Sequence, residues 1–208
     1  MNVHTQRHMV SGPAGPIECA LDRPSGPSLG MALICHPHPL GGGTLDNKVV
    51  QTLARAAVEL GWRSVRFNFR GVGASGGEWS DGPGEIADAL CVLHEQRAAQ
   101  EPLLLAGFSF GAYVASQVCA QLAASDKPQR LVLVGPSTQK QSMADVPSDT
   151  VVIHGESDDV VPLSATLAWA KAQSLPVIVF PGVGHFFHGQ LGLLKSVVVR
   201  ELLPRLPH

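Results

Sequence analysis

Two short apolar runs, Met31 to Cys35 and Leu103 to Ala106, constrain the fold of this chain more than any other feature. Neither alternates apolar with polar residues, so neither offers a face to water. Such runs are strands buried on both faces, and strands of that kind belong to parallel sheets covered by helices. The stretches between similar runs read as helices. Val50, Leu53, Ala57 and Leu60 share one face of a helix over Asn47 to Leu60, which Gly61 ends. Further strands are expected at Ser64 to Phe69, Leu131 to Val134, Thr150 to His154 and Pro176 to Phe180. Further helices are expected at Pro83 to Ala99, Phe110 to Ala124, Leu163 to Gln173 and Leu191 to Leu202. Ahead of them, Met9 to Leu21 is an extended stretch with a turn region at Ser11 to Pro16, the pattern of a hairpin. The fold class is α/β: a mostly parallel sheet with helices on both faces.

A chain of 208 residues suits one domain over 1–208 and leaves little room for a second. With 45% apolar and 15% charged residues it is globular. A formal net charge of −2 without a basic stripe argues against nucleic acid as a partner. No apolar run approaches the roughly 20 residues that cross a bilayer, so no membrane association is expected. Met1 to Gly15 lacks the basic start and apolar stretch of a signal peptide. Cys19, Cys35, Cys91 and Cys119 are scattered and form no C-x-x-C pair. A reducing, cytoplasmic setting is the simpler expectation. The oligomeric state is not legible.

Ligands in such sheets bind beyond the carboxyl ends of the strands. After Leu103 to Ala106 stands Gly107-Phe108-Ser109-Phe110-Gly111, a G-x-S-x-G between a strand and a helix. A turn this tight forces the serine into a strained conformation, and side chains at the two glycine positions would clash. It also puts Ser109 at a helix N-terminus, where free N–H groups favour developing negative charge. Ser109 is the candidate nucleophile. After the strand ending at His154 comes Ser157-Asp158-Asp159, and after the next strand Gly184-His185-Phe186-Phe187-His188. An imidazole can take the serine proton near neutral pH, and a carboxylate behind it fixes the tautomer. His185 is assigned as base and Asp158 as orienting acid, with His188 and Asp159 as rivals. Asp158 and Asp159 also suit a turn that caps the following helix. His4, His8, His94 and His208 read as surface or terminal.

On these motifs the chain resembles the α/β-hydrolase superfamily over nearly its whole length. More narrowly, it resembles small bacterial serine hydrolases that carry His36-Pro37-His38-Pro39 before a glycine run and Arg66-Phe67-Asn68-Phe69-Arg70-Gly71-Val72-Gly73 after the next strand. The order Ser, Asp, His matches that superfamily. Many relatives have aspartate where this chain has Asn68, a position expected to be structural. The resemblance implies the α/β-hydrolase fold and hydrolysis, and says little about substrate.

A tetrahedral intermediate needs two donors at its oxygen. The Phe110 amide is one. The second comes from the loop after Met31 to Cys35, where Pro37 and Pro39 have no N–H to give. His38 and Leu40 remain, with Leu40 favoured because Gly41-Gly42-Gly43 lets backbone approach a ligand. His36-x-His38 lacks a third metal ligand, so no metal and no cofactor is expected. Gly71-Val72-Gly73-Ala74-Ser75-Gly76 fits G-x-G-x-x-G, yet Gly77, Pro83 and Gly84 delay the helix that a dinucleotide site requires at once.

The segment from Gly135 to Asp149 is too short for a helical cap and contains Pro136 and Pro147. An open, lidless site is expected, lined by His36, Phe108, Trp79 and Phe186 beside Leu40 and Phe110; Trp79 could equally plug its own loop. The reading is an esterase-like hydrolase of a small-molecule acyl substrate, working through an acyl-enzyme. The alternatives are a thioesterase or peptidase on the same residues, or a non-catalytic α/β-hydrolase binding module.

Overall fold

The structure, a computed structural model, describes residues 5–203. His4 and His208 lie outside the described residues. Eight strands form one sheet: β1 (Gln6–Gly12), β2 (Gly15–Asp22), β3 (Met31–Cys35), β4 (Arg63–Phe67), β5 (Leu103–Phe108), β6 (Arg130–Val134), β7 (Val151–Gly155) and β8 (Val177–Phe180). The order across the sheet is β1-β2-β4-β3-β5-β6-β7-β8. β1 and β2 form the antiparallel edge hairpin, turning at Pro13 and Ala14. From β4 to β8 every neighbouring pair is parallel. Five helices connect them: α1 (Lys48–Glu59), α2 (Pro83–Gln96), α3 (Phe110–Gln121), α4 (Leu163–Ala172) and α5 (Leu191–Leu202).

The lack of alternation in the central strands has a direct cause. Met31, Leu33 and Cys35 of β3 point into one layer with α2 and α3, while Ala32 and Ile34 point into the other with α1 and α5. Leu103 and Leu105 of β5 divide from Leu104 and Ala106 in the same way. Each face has its own helical cover, so both residue sets are apolar.

Several element ends are shorter than expected. Asn47 is the N-cap of α1, its side chain accepting from the Val49 and Val50 amides at 2.9 and 3.4 Å. α2 ends at Gln96, where Arg97 turns extended and sends its guanidinium to the Glu101 and Asp126 carbonyls. α3 ends at Gln121, and Ala124–Asp126 is a separate 3-10 turn. β4 ends at Phe67, and the next residue, Asn68, ties the strand end to its surroundings: its backbone amide donates to Glu18 O at 2.8 Å. Its side-chain oxygen accepts from Leu45 N at 2.8 Å and its side-chain nitrogen donates to Glu18 Oε2 at 2.7 Å. An amide meets both needs here; an aspartate would set a second carboxylate against Glu18.

β3 lies between β4 and β5, so successive connections leave it toward opposite edges. A crevice opens beyond the carboxyl ends of β3 and β5, the usual place for a ligand in an open α/β sheet. Between β6 and β7 the chain forms no helix, so no cap covers that crevice.

Candidate active site

β5 delivers Ser109 into the crevice. Ser109 has φ +56° and ψ −118°, a conformation that costs a side-chain-bearing residue energy and is held here by its surroundings. Its own amide donates to Val134 O of β6 at 2.9 Å. A Cβ at Gly107 would strike the Gly111 carbonyl, and one at Gly111 would strike the Cys35 carbonyl. The two glycines therefore let the turn close and let α3 start hard against the end of β3.

The loops after β7 and β8 are laced together. Glu156 N donates to Phe180 O and Ser157 N to Val183 O, both at 2.9 Å, and Gly182 N donates to Glu156 Oε2 at 2.8 Å. This lacing brings Asp158 to His185. The His185 Nδ1–H donates to Asp158 Oδ2 at 2.6 Å, and Ser109 Oγ lies 3.0 Å from His185 Nε2. The carboxylate acceptor fixes the tautomer, which leaves Nε2 free to accept the serine proton. The ring is packed between Phe108, with centroids 4.9 Å apart, and Phe186 at 5.1 Å. A Cβ on Gly135 would press on Cε1 at 3.3 Å.

Asp158 serves two structures at once. Oδ2 faces His185, while Oδ1 accepts from the Val160 and Val161 amides at 2.9 and 2.7 Å and closes the turn. Burial works to raise its carboxyl. The hydrogen bonds from His185, Val161 and Val160 outweigh that and hold it below the ordinary carboxylate range. Asp159 is exposed, and it lines a neighbouring hollow without a hydrogen bond of its own. α4 is capped by neither aspartate; its N-cap is Pro162. His188 is exposed and precedes α5, in contact with Phe186 at 5.8 Å between ring centroids.

Ser109 and His185 line a cavity of about 420 Å³, with His38, Leu40, Phe110 and Phe186 among its walls. Three expected lining residues are elsewhere. His36 is fully buried: its Nδ1–H donates to Pro37 O at 2.7 Å and Nε2 accepts from Phe69 N at 3.0 Å. Burial pushes its pKa down to about 3 against that bond to Pro37, so the ring stays neutral. Phe108 is fully buried beneath His185. Trp79 is not among the cavity walls; it packs against the rings of His38 and Phe110, with centroids 4.5 and 5.0 Å away, and against the core layer beneath them. Side-chain direction, invisible in composition, decides all three.

His38 and Leu40 both line the cavity, in the loop that folds into a 3-10 turn at Pro39–Gly41. The amides of Gly41 and Gly43 donate to His38 O at 3.0 Å. A Cβ on Gly43 would strike the Pro37 carbonyl. The glycine run is therefore required by the loop's own closure as well as lining the cavity. The Leu40 side chain is 74% exposed. Gly71 to Gly76 is also explained by backbone closure. Gly71 N donates to Gly76 O at 3.0 Å, and Ser75 Oγ joins Asn68 O and Glu18 N at 2.8 and 2.9 Å.

Two neighbours of the site had no sequence signal. His154 in β7 is fully buried; its Nε2–H donates to Val161 O at 2.9 Å and lies 3.3 Å from Asp158 Oδ2. Lys140 lines the cavity from the β6–β7 segment. Among the described residues, no three His, Cys, Asp or Glu side chains converge as a metal site, and no helix is long and apolar enough to cross a membrane.

A hydroxyl bonded to an imidazole that is braced by a carboxylate, at the end of a strand in an uncapped α/β sheet, is machinery for acyl transfer. The comparisons agree on the class. The thioesterase domain family matches residues 33–158, and the chain belongs to that family. Its family and fold are those of hydrolases. It superposes on an α/β serine hydrolase homologue from Coxiella burnetii with a TM-score of 0.85 and 40% identity, covering 95% of this chain and 97% of that one. It superposes on a lidless α/β serine hydrolase from Xanthomonas campestris with a TM-score of 0.86 and 36% identity, covering 100% and 99%. An uncharacterised Rickettsia prowazekii protein is 40% identical over 52% of this chain, and an uncharacterised Mycobacterium tuberculosis protein is 32% identical over 77%. Those matches span 47% and 63% of the two relatives, so the chain covers only part of the length of either.

Proposed function

We propose that the protein cleaves small acyl esters through an acyl-enzyme on Ser109. The observation that carries this reading is the continuous chain of hydrogen bonds from Ser109 through His185 to Asp158 at the wall of an open cavity. His185 Nε2 takes the hydroxyl proton as Ser109 Oγ bonds to the acyl carbon. Asp158 stabilises the imidazolium that forms. The Phe110 amide and a second amide, from His38 or Leu40, hold the oxyanion. The imidazolium then gives its proton to the leaving group, and water, activated by the same imidazole, releases the acid. The family match favours a second reading, in which the leaving group is a thiol; the same residues serve it without change. Four free cysteines suit a reducing compartment, in keeping with a cytoplasmic enzyme acting on a small-molecule substrate.

Aryl esters and matching thioesters of rising acyl length test this. Each methylene buried is worth about 0.8 kcal/mol until the pocket ends. Without a cap, kcat/KM should peak at short acyl chains and fall for long ones, with no jump when the substrate forms micelles. A steady rise to long chains, or activation at an interface, contradicts the open-site account. The ester-to-thioester ratio decides between the two leaving groups.

A further inference from the structure

The cavity walls carry an unusual balance of charge. Around Ser109 they comprise backbone, apolar side chains, polar side chains such as Ser137 and Asn47, the imidazoles of His38 and His185, and Lys140; no carboxylate is among them. Lys140 is the one lining residue with a permanent charge. Its ammonium has no ion pair or hydrogen bond among the described residues, although the same segment ends in a paired carboxylate, Asp149 with Arg130 at 3.0 Å. Of the nearby acids, Asp81 is exposed and outside the cavity lining, and the others are bonded within the protein or line another hollow. Asp158 is buried behind His185, and both Glu85 oxygens accept from the Ser80 and Gly82 amides at 3.0 and 2.8 Å. Asp159 lines the adjoining hollow and is not among the walls of the cavity.

We propose that Lys140 makes this site selective for acyl substrates that carry a negative charge close to the scissile carbonyl. The turn bearing it is fixed. Lys140 N donates to Ser137 O at 3.2 Å, and Ser137 Oγ bonds Gln141 Oε1 at 2.5 Å. The segment is the one where a cap would otherwise stand, and Lys140 lines the cavity from it. Burial pushes His38 down first and the Lys140 charge pushes it further, while Asp81 and Glu85 pull the other way. Lys140 and His38 line the same cavity, and low-dielectric walls concentrate the field of a charge placed there. An anionic group on the substrate gains an unpaired cation without displacing a protein partner. The inference rests on the proposed hydrolysis at Ser109 and adds the substrate class.

Three aryl esters test it on the full chain: a neutral butyrate, a succinate monoester with its carboxylate on the acyl side, and a butyrate whose aryl leaving group bears a carboxylate. The wild type should favour one anionic ester over the neutral one by about three- to fivefold in kcat/KM, the worth of one exposed ion pair. Which of the two gains tells on which side of the carbonyl Lys140 acts. Lys140→Met should erase that ratio, Lys140→Glu should invert it and Lys140→Arg should keep it. Salt at 0.5 M should shrink it in the wild type. Equal treatment of all three esters by the wild type, or an unchanged ratio in Lys140→Met, overturns the proposal while leaving hydrolysis intact. Failure of the hydrolytic reading looks different: no ester, including the neutral one, is turned over, and both inferences fall together.

Discussion

Two loops of this molecule each present a pair of histidines, and the pairs behave alike in burial but not in partners. After β3, His36 is buried and His38 faces the cavity; after β8, His185 is buried and His188 is exposed. Both buried rings use both nitrogens. His36 spends them on backbone groups, the Pro37 carbonyl and the Phe69 amide. His185 spends them on side chains, the Ser109 hydroxyl and the Asp158 carboxylate. A ring bonded to backbone holds a loop to its neighbour strand. A ring bonded to a hydroxyl and a carboxylate can move a proton. Burial therefore does not distinguish the two; the chemistry of the partners does.

The sharpest way to break this comparison is to place glutamine at each ring in turn. His185→Gln should cut kcat on short esters by about 10⁴ to 10⁶ and leave the fold standing. His36→Gln should do the reverse, costing about 2 kcal/mol of stability as one buried backbone group loses its partner, with a rate loss below about tenfold in the protein that remains folded. Thermal melts beside steady-state rates separate the two. Similar rate losses in both variants would erase the distinction.

A smaller effect divides the neighbouring acids. Asp158→Asn should lower kcat by about 10³ to 10⁴, because the imidazole loses its orienting charge. Asp159→Asn should lower it by less than about tenfold. The reverse order would move the acid's role to the exposed residue.

The smallest effect is on stability against pH. The folded pKa of His36 lies at about 3, below its unfolded value near 6.5, so folding favours the neutral ring. The unfolded chain binds the extra proton below that value. The stability His36 contributes is whole above pH 6.5 and is lost progressively as pH falls toward 3. At pH 5 the loss from this ring is about 2 kcal/mol. Burial lowers His154 as well and adds in the same direction. Denaturant midpoints at pH 7.5 and pH 5 should therefore diverge less in His36→Gln than in the wild type. Equal divergence would mean His36 is not held neutral.

The same contrasts separate what local sequence specifies from what only the fold does. The α/β class and the parallel strands were legible, because unbroken apolar runs such as Leu103 to Ala106 have one physical explanation: a helix layer on each side. The strained turn at Ser109 was legible because Gly107 and Gly111 flank it and side chains there collide with backbone. The walls of the cavity were not. His36 and Phe108 are next to cavity-lining residues in sequence yet are fully buried outside its walls, and Trp79 touches the lining rings of His38 and Phe110 without lining the cavity itself. Lys140 was passed over because its segment offered only a missing helix to read, and His154 because a histidine inside a strand looks like any core residue. Side-chain direction and long-range pairing settle such positions, and neither has a local pattern.

The account depends most on Ser109 being an activated nucleophile, and covalent labelling tests that without knowledge of the substrate. The protein is treated with a fluorophosphonate, and its intact mass and peptide map are read. The wild type should take up one adduct, on Ser109, and Ser109→Ala should take up none. An unlabelled wild type, or an adduct that persists in Ser109→Ala, would contradict the account.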